Sequence, residues 1–237
     1  MDGMETYRNA WSGSEPMIGL AFLADKAPLH VLCIGAHCDD IEIGCGGALL
    51  QLQKTVSDLT IDWIVLTGAE ARRAETSKAM GLLIEPAFRG ELVFGGFPDS
   101  RLPTVYGELK DFFGTLRARF KPSVVFCHEK QDAHQDHRLV NEMVWGAFRD
   151  HLILEYEIVK WDGGLSTPNA YVPLDQDVVD RKVDVLVSTY GSQRSKDWFT
   201  QETFLAMTRI RGVECRAPSG HAEGFFARKM VLPLCTQ

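Results

Sequence analysis

The stretch "HVLCIGAHCDD", His30 to Asp40, decides the architecture. Its first six residues, "HVLCIG", read as a buried strand. Its last five, "AHCDD", put an imidazole, a thiol and two adjacent carboxylates where that strand ends. Neighbouring negative charges repel one another, and desolvation adds to the cost unless a cation or a substrate group compensates. One short segment therefore predicts a strand and, at its carboxyl end, a site.

Outward from it, apolar runs alternate with segments of helical period. "EIGCGGALLQLQKT" sets Ile43, Ala48, Leu49 and Leu52 on one side of a helix, "LTIDWIVLTG" is a second strand, and "EARRAETSKAMGLL" a second helix ending near Gly81. "ELVFGG" is a third strand, and "VYGELKDFFGTLRARF" spaces Leu109, Phe112, Phe113, Leu116 and Phe120 as a helix does. "KPSVVFC" is a fourth strand, bounded by Pro122, and "HQDHRLVNEMVWGAF" a helix with Leu139, Met143 and Val144 inward. Beyond it the sequence predicts a strand at "ILEYEIV", a loop at "GGLSTPN", helices at "DQDVVDRKVDVLVSTY" and "TQETFLAMTRIRG", and a closing strand at "FFARKMVLPL". Strands separated by single helices pair in parallel through right-handed crossovers. The expectation is a three-layer, Rossmann-like α/β fold with a mostly parallel sheet, in one domain over residues 1–237.

Composition narrows the function. The 237 residues, 45% hydrophobic and 24% charged, suit a globular chain, and a net charge of -7 argues against a nucleic-acid partner. No apolar run reaches the roughly 18–20 residues that span a bilayer, and "MDGMETYRNAWSGSEP" lacks the pattern of a secretory signal. A cytoplasmic protein is expected. None of the six cysteines forms a Cys-x-x-Cys pair; Cys33, Cys45 and Cys127 read as small buried hydrophobes, and the acids beside Cys38 disfavour its thiolate.

A second cluster, "HEKQDAHQDH" (His128 to His137), follows the fourth strand. Open parallel sheets bind ligands beyond their strands' carboxyl ends, so the two clusters converge on one edge. A dinucleotide site does not fit: Gly44, Gly46 and Gly47 come after the acidic loop, and Asp39 and Asp40 would repel a pyrophosphate. Those glycines are expected to let the helix approach the sheet. A metal site fits better. His37 and Asp40 lie three apart in a turn, and His134 and His137 share that spacing at a helix start. A catalytic zinc takes about three protein ligands, so His37, Asp40 and one of the second pair suffice. Asp39 and the other histidine remain for acid–base work. Single histidines are usually solvated or satisfied core residues; two clusters at strand ends outweigh that default.

With "AHCDD", "HQDH" and the flanking "LTGAEARRAETSKAMGLL", "GFPDSRLP", "VVFCHEKQDAHQDHRLV" and "HAEGFF", the sequence resembles the PIG-L/LmbE-like zinc-dependent N-deacetylases. Cys38 stands where proline is commonest in that family, leaving a less rigid turn. The resemblance implies an LmbE-like fold and assigns His37, Asp40 and His137 to Zn2+, with Fe2+ or Co2+ able to substitute. It makes Asp39 the general base and His134 the group that stabilises the oxyanion or protonates the leaving amine. Asp136 is expected to orient His134 through its other ring nitrogen. Arg72, Arg73 and Asp99 fall where the family tends to touch its sugar.

The implied reaction is removal of an acetyl group from an N-acetylated amino sugar, a small-molecule substrate, by a chain without an integral membrane segment. Another acylated small molecule is the alternative, and a non-catalytic sugar-binding protein a weaker one. A homotrimer or hexamer fits the family. His221 and Glu223 either line the pocket mouth or start the closing strand, and Arg209 or Arg211 would meet an anionic carrier. Glu155 and Glu157 share one side of a strand, facing the metal or solvent. Trp161, Trp198, Phe97 and Phe225 are candidates for a sugar-stacking surface, against the commoner role of core packing.

Overall fold

The computed structural model describes residues 28–231; the N-terminal segment and Cys235 lie outside them. In chain order the elements are β1 (Leu29–Gly35), α1 (Asp40–Thr55), β2 (Leu59–Thr67), α2 (Glu70–Leu83), β3 (Arg89–Phe97), α3 (Tyr106–Arg119), β4 (Val124–His128), α4 (Gln135–Ala147), β5 (Leu152–Tyr156), β6 (Ala170–Pro173), α5 (Gln176–Thr189), α6 (Gln201–Glu214) and β7 (Ala222–Phe226). Side chains alternate across a strand, and β1 is apolar on both faces. Val31 and Cys33 face a core with Ile41, Cys45 and Leu49 of α1, Met80 of α2 and Val179 and Leu186 of α5. Leu32 and Ile34 face the opposite core, with Leu109, Phe113 and Leu116 of α3 and Val140 and Val144 of α4. Helices on both sides of one sheet give the expected three layers.

The sheet has seven strands in the order β3-β2-β1-β4-β5-β7-β6. The first five pair in parallel, and β7 runs antiparallel to both β5 and β6. Strand order reverses between β1 and β4. Such a switch point opens a crevice between the two loops that leave adjacent strands in opposite directions. The loops after β1 and β4 carry the two clusters, which explains how residues about a hundred positions apart meet. No helix among the described residues is long and apolar enough to cross a membrane.

Three boundaries differ from expectation. α1 begins at Asp40, within the acidic pair. β6 lies just past the expected loop, where the sequence assigns no element; its four residues are half-buried and carry little pattern. The closing strand spans Ala222–Phe226, so it ends where "FFARKMVLPL" begins.

The α1 glycines do bring that helix close. A Cβ on Gly44 would fall 2.2 Å from the Tyr156 ring, and one on Gly47 2.8 Å from Glu223 Oε1. Glu223 is buried, and its carboxylate accepts from the backbone N–H groups of Gly47 and Ala48, both at 2.7 Å. Lys182 completes the group, donating to Glu223 Oε1 at 2.6 Å and to the Ile43 carbonyl at 2.7 Å. Glu223 thus fastens α1 to β7 and α5, the strand role of the two considered. Replacing Glu223 with Ala strands the buried ammonium and should cost about 3–5 kcal/mol in urea unfolding. Glu223→Ala together with Lys182→Met should recover part of it.

Candidate metal centre

The chain turns sharply after β1. Asp39 has φ 103° and ψ -20°, a left-handed backbone that costs a non-glycine residue about 1–3 kcal/mol. The turn sends the neighbouring carboxylates to different partners. Asp40 Oδ2 accepts the His37 backbone N–H at 2.7 Å and lies 3.1 Å from His128 Nε2. Asp39 Oδ2 pairs with Arg72 Nη2 at 2.9 Å, and Arg72 also donates to the Cys38 carbonyl. Burial resists the charge on Asp40, but His137 and His128 hold it well below the usual carboxylate range. Burial pushes Asp39 up to about 7, with Arg72 opposing the rise and Asp40 adding to it.

The second loop leaves β4 at His128. His134 caps α4, and its Nδ1 accepts the Asp136 N–H at 3.2 Å. An accepting Nδ1 is bare, so the neutral ring carries its proton on Nε2. Burial and the nearby His37 lower the His134 pKa, which favours that neutral form. One turn further on, His137 Nδ1 lies 2.9 Å from Asp132 Oδ2. A carboxylate only accepts, so His137 is protonated on Nδ1 and presents a bare Nε2. Burial, with His128 beside it, drives the His137 pKa down to about 3.

Asp136 does not orient His134. Its Oδ2 lies 3.3 Å from His37 Nε2, and its Oδ1 accepts the Leu102 N–H at 3.2 Å. The His134 Nδ1 is taken by the Asp136 backbone N–H, which leaves the Asp136 carboxylate to His37 and Leu102. With Asp136 and Asp99 both facing His37 Nε2, that nitrogen keeps its proton when the ring is neutral, and Nδ1 is then bare.

Three lone pairs therefore point at one spot. His37 Nδ1 is 3.1 Å from His137 Nε2, Asp40 Oδ2 is 3.4 Å from the former and 3.6 Å from the latter. A tetrahedral ion with bonds of about 2.0–2.1 Å keeps its ligands about 3.4 Å apart. Without an ion, a charged His37 ring turns its Nδ1 proton toward His137 Nε2, and a divalent cation would take that proton's place. The acids around His37 account for that proton: burial lowers its pKa, yet Asp136, Asp40 and Asp99 raise it to about 10, and the same negative surroundings favour a cation. The donor set fits a metal ion, and overlapping sets include His37 with His134 and His137, and Asp40 with His128 and His137.

His128 and Asp132 belong to this centre and were not singled out from sequence. His128 is fully buried, and its ring stacks on His137 at 3.8 Å and 16°. Its sequence signal was its place at the head of "HEKQDAHQDH", without the spacing that marks the other ligands. Of the expected sugar contacts, Asp99 is exposed at the rim, its Oδ1 3.4 Å from His37 Nε2. Arg72 is engaged by Asp39. Arg73 donates to the Gly68 carbonyl at 2.8 Å and lies over Phe94. His221 bonds Thr208 of α6 at 2.9 Å, away from the cluster's contacts. Glu155 is held by Trp145 and Arg228, and Glu157 by Arg211, so neither reaches the metal centre. Arg209 donates to the Gly220 carbonyl, and buried Arg211 is saturated by Glu157 and Glu214. Phe225 is core and Phe97 packs on Phe112.

Residues 32–148, which hold both loops, match the family model described as PIG-L, GlcNAc-PI de-N-acetylase. This segment is similar to the PIG-L family. That family is one of hydrolytic N-deacetylases, and the PIG-L segment contains every residue of the cluster. The fold is shared with N,N'-diacetylchitobiose deacetylase from Pyrococcus horikoshii: 20% identity, TM-score 0.63, covering 83% of this chain and 82% of that one. It is shared with the zinc-inhibited form of the teicoplanin deacetylase Orf2, at 15% identity and TM-score 0.62, covering 83% and 96%. It is also shared with GalB, the 4-carboxy-2-hydroxymuconate hydratase of Pseudomonas putida KT2440, at 16% identity and TM-score 0.65, covering 88% and 100%. One PIG-L-like architecture thus carries more than one water-adding chemistry, and the residues must decide between them.

Proposed function

We propose that this chain is a zinc-dependent N-deacetylase that hydrolyses the acetamido group of an N-acetylated amino sugar. The observation that carries it is the meeting of three atoms of ligand type, His37 Nδ1, Asp40 Oδ2 and His137 Nε2, beside a carboxylate, Asp39, that pairs with Arg72 instead. His37, Asp40 and His137 would hold the ion. Such an ion polarises a carbonyl and makes water nucleophilic near neutral pH.

The chain's own groups divide the remaining work. Asp39, whose pKa sits near neutrality, takes the proton of the attacking water on its carboxylate and returns it to the departing nitrogen. His134 Nε2–H donates to the amide oxygen as that oxygen gains charge. Asp136 and Asp132 hold the rings of His37 and His137 with their bare nitrogens turned inward. Arg72 keeps Asp39 in place and lowers its proton affinity. At the rim, Asp99 is placed to accept from a sugar hydroxyl.

Acetate release from N-acetylglucosamine and its glycosides, with zinc, iron(II) or cobalt(II) restored to metal-stripped protein, tests the proposal. Acetate formed only with metal is expected. Hydration of an unsaturated carboxylate, GalB's chemistry, releases no acetate, and an acyl-amino-acid panel separates the other amide class. Replacing Arg72 with Met removes the guanidinium that favours ionised Asp39. The carboxyl then keeps its proton to higher pH, so the acid side of the kcat/KM profile should move up by about one unit.

A further inference from the structure

We propose that Trp161 is a stacking platform for a second sugar ring, joined to the N-acetylated unit that the metal centre receives; this rests on the deacetylase reading above. The loop that carries it leaves β5 at the same carboxyl edge as the loops after β1 and β4. Trp161 is 65% exposed, more than any other large aromatic side chain among the described residues. It is nevertheless fixed. Its Nε1–H donates to Asp197 Oδ1 at 2.6 Å, and its ring stands edge-on to Trp198 at 6.1 Å. Trp198 is anchored in turn on Phe199 and lies under the Lys196 ammonium.

Both flanks tie this indole to the centre. Lys160, the preceding residue, bonds Asp132 Oδ1 at 2.8 Å, and the other oxygen of Asp132 holds His137. On the far side, Lys196 is close enough to Asp39 for its charge to act there. An oriented aromatic face left in water exposes apolar area for no gain in folding. Charged groups border it: Lys160, Asp162, Asp197 and Lys196. A pyranose offers C–H groups to an indole face and hydroxyls to such a border, whereas an acyl chain offers the border nothing and displaces its water. Binding at this remote ring would help orient the reacting one.

Equilibrium binding to the full, zinc-loaded chain tests the platform without turnover. The probes are glucosamine and its β-1,4-linked disaccharide, which have no acetyl group to lose. The disaccharide is expected to bind about tenfold more tightly than the monosaccharide. Trp161→Ala should bring that ratio near one, Trp161→Phe should keep most of it, and Asp197→Ala, which unpins the indole, should lower it partway. A ratio of one in the unaltered protein, or an unchanged ratio in Trp161→Ala, overturns the proposal. So does a preference for an alkyl glucosaminide that depends on Trp161. A collapsing ratio without acetate release would refute deacetylation and leave the platform standing.

Discussion

Asp39→Asn is expected to lower kcat by about 100- to 10,000-fold, the usual contribution of a general base, while the chain still binds one ion. Asparagine is the right replacement for two physical reasons. It tolerates the left-handed backbone that position 39 adopts, so the turn after β1 survives. It also removes a charge from a buried position where burial already disfavours that charge, so stability should hold even though Arg72 loses its ionic partner. Metal analysis beside the acetate assay reads both quantities. Loss of the ion together with activity would show that Asp39 is a ligand and that the two acids have been exchanged.

His137→Ala should remove the ion itself. Its Nε2 is one of three converging atoms, and even the partners that orient ligands are worth about 10- to 100-fold in affinity. A weakening of at least about 100-fold is therefore expected, seen as loss of metal through gel filtration. The fold should persist, because Asp132 keeps Lys160 as a partner and Asp40 keeps His128. Added zinc should raise the Tm of the unaltered protein by preferential binding to the native state and leave that of His137→Ala unmoved. His134→Ala is the control: an Nε2–H donor is not a ligand, so kcat should fall with the ion retained.

The layered fold was legible because β1, β2 and β4 are apolar on both faces and the helices between them repeat at helical spacing. β6 and β7 were not, since strands of four and five residues with a proline or a glycine carry too little alternation to read. That His37 and Asp40 meet the histidines of the second cluster was legible from strand-end placement; the choice of His137 over His134 came from the family resemblance. What each carboxylate does was not. Asp136 sits between two histidines in sequence yet its carboxylate meets a third, His37, while only its backbone N–H meets His134. Asp132 and His128 lacked any spacing signal, and Arg72, expected against the sugar, is instead the partner of Asp39 because the fold brings α2 beside the first loop.

The most direct measurement is a crystal soaked in zinc, with diffraction collected across the zinc absorption edge. One strong anomalous peak is expected per chain, about 2.0–2.1 Å from His37 Nδ1, Asp40 Oδ2 and His137 Nε2. A peak bounded instead by Asp99 and Asp136, or no peak at all between those three atoms, would contradict the proposed centre and the hydrolysis built on it.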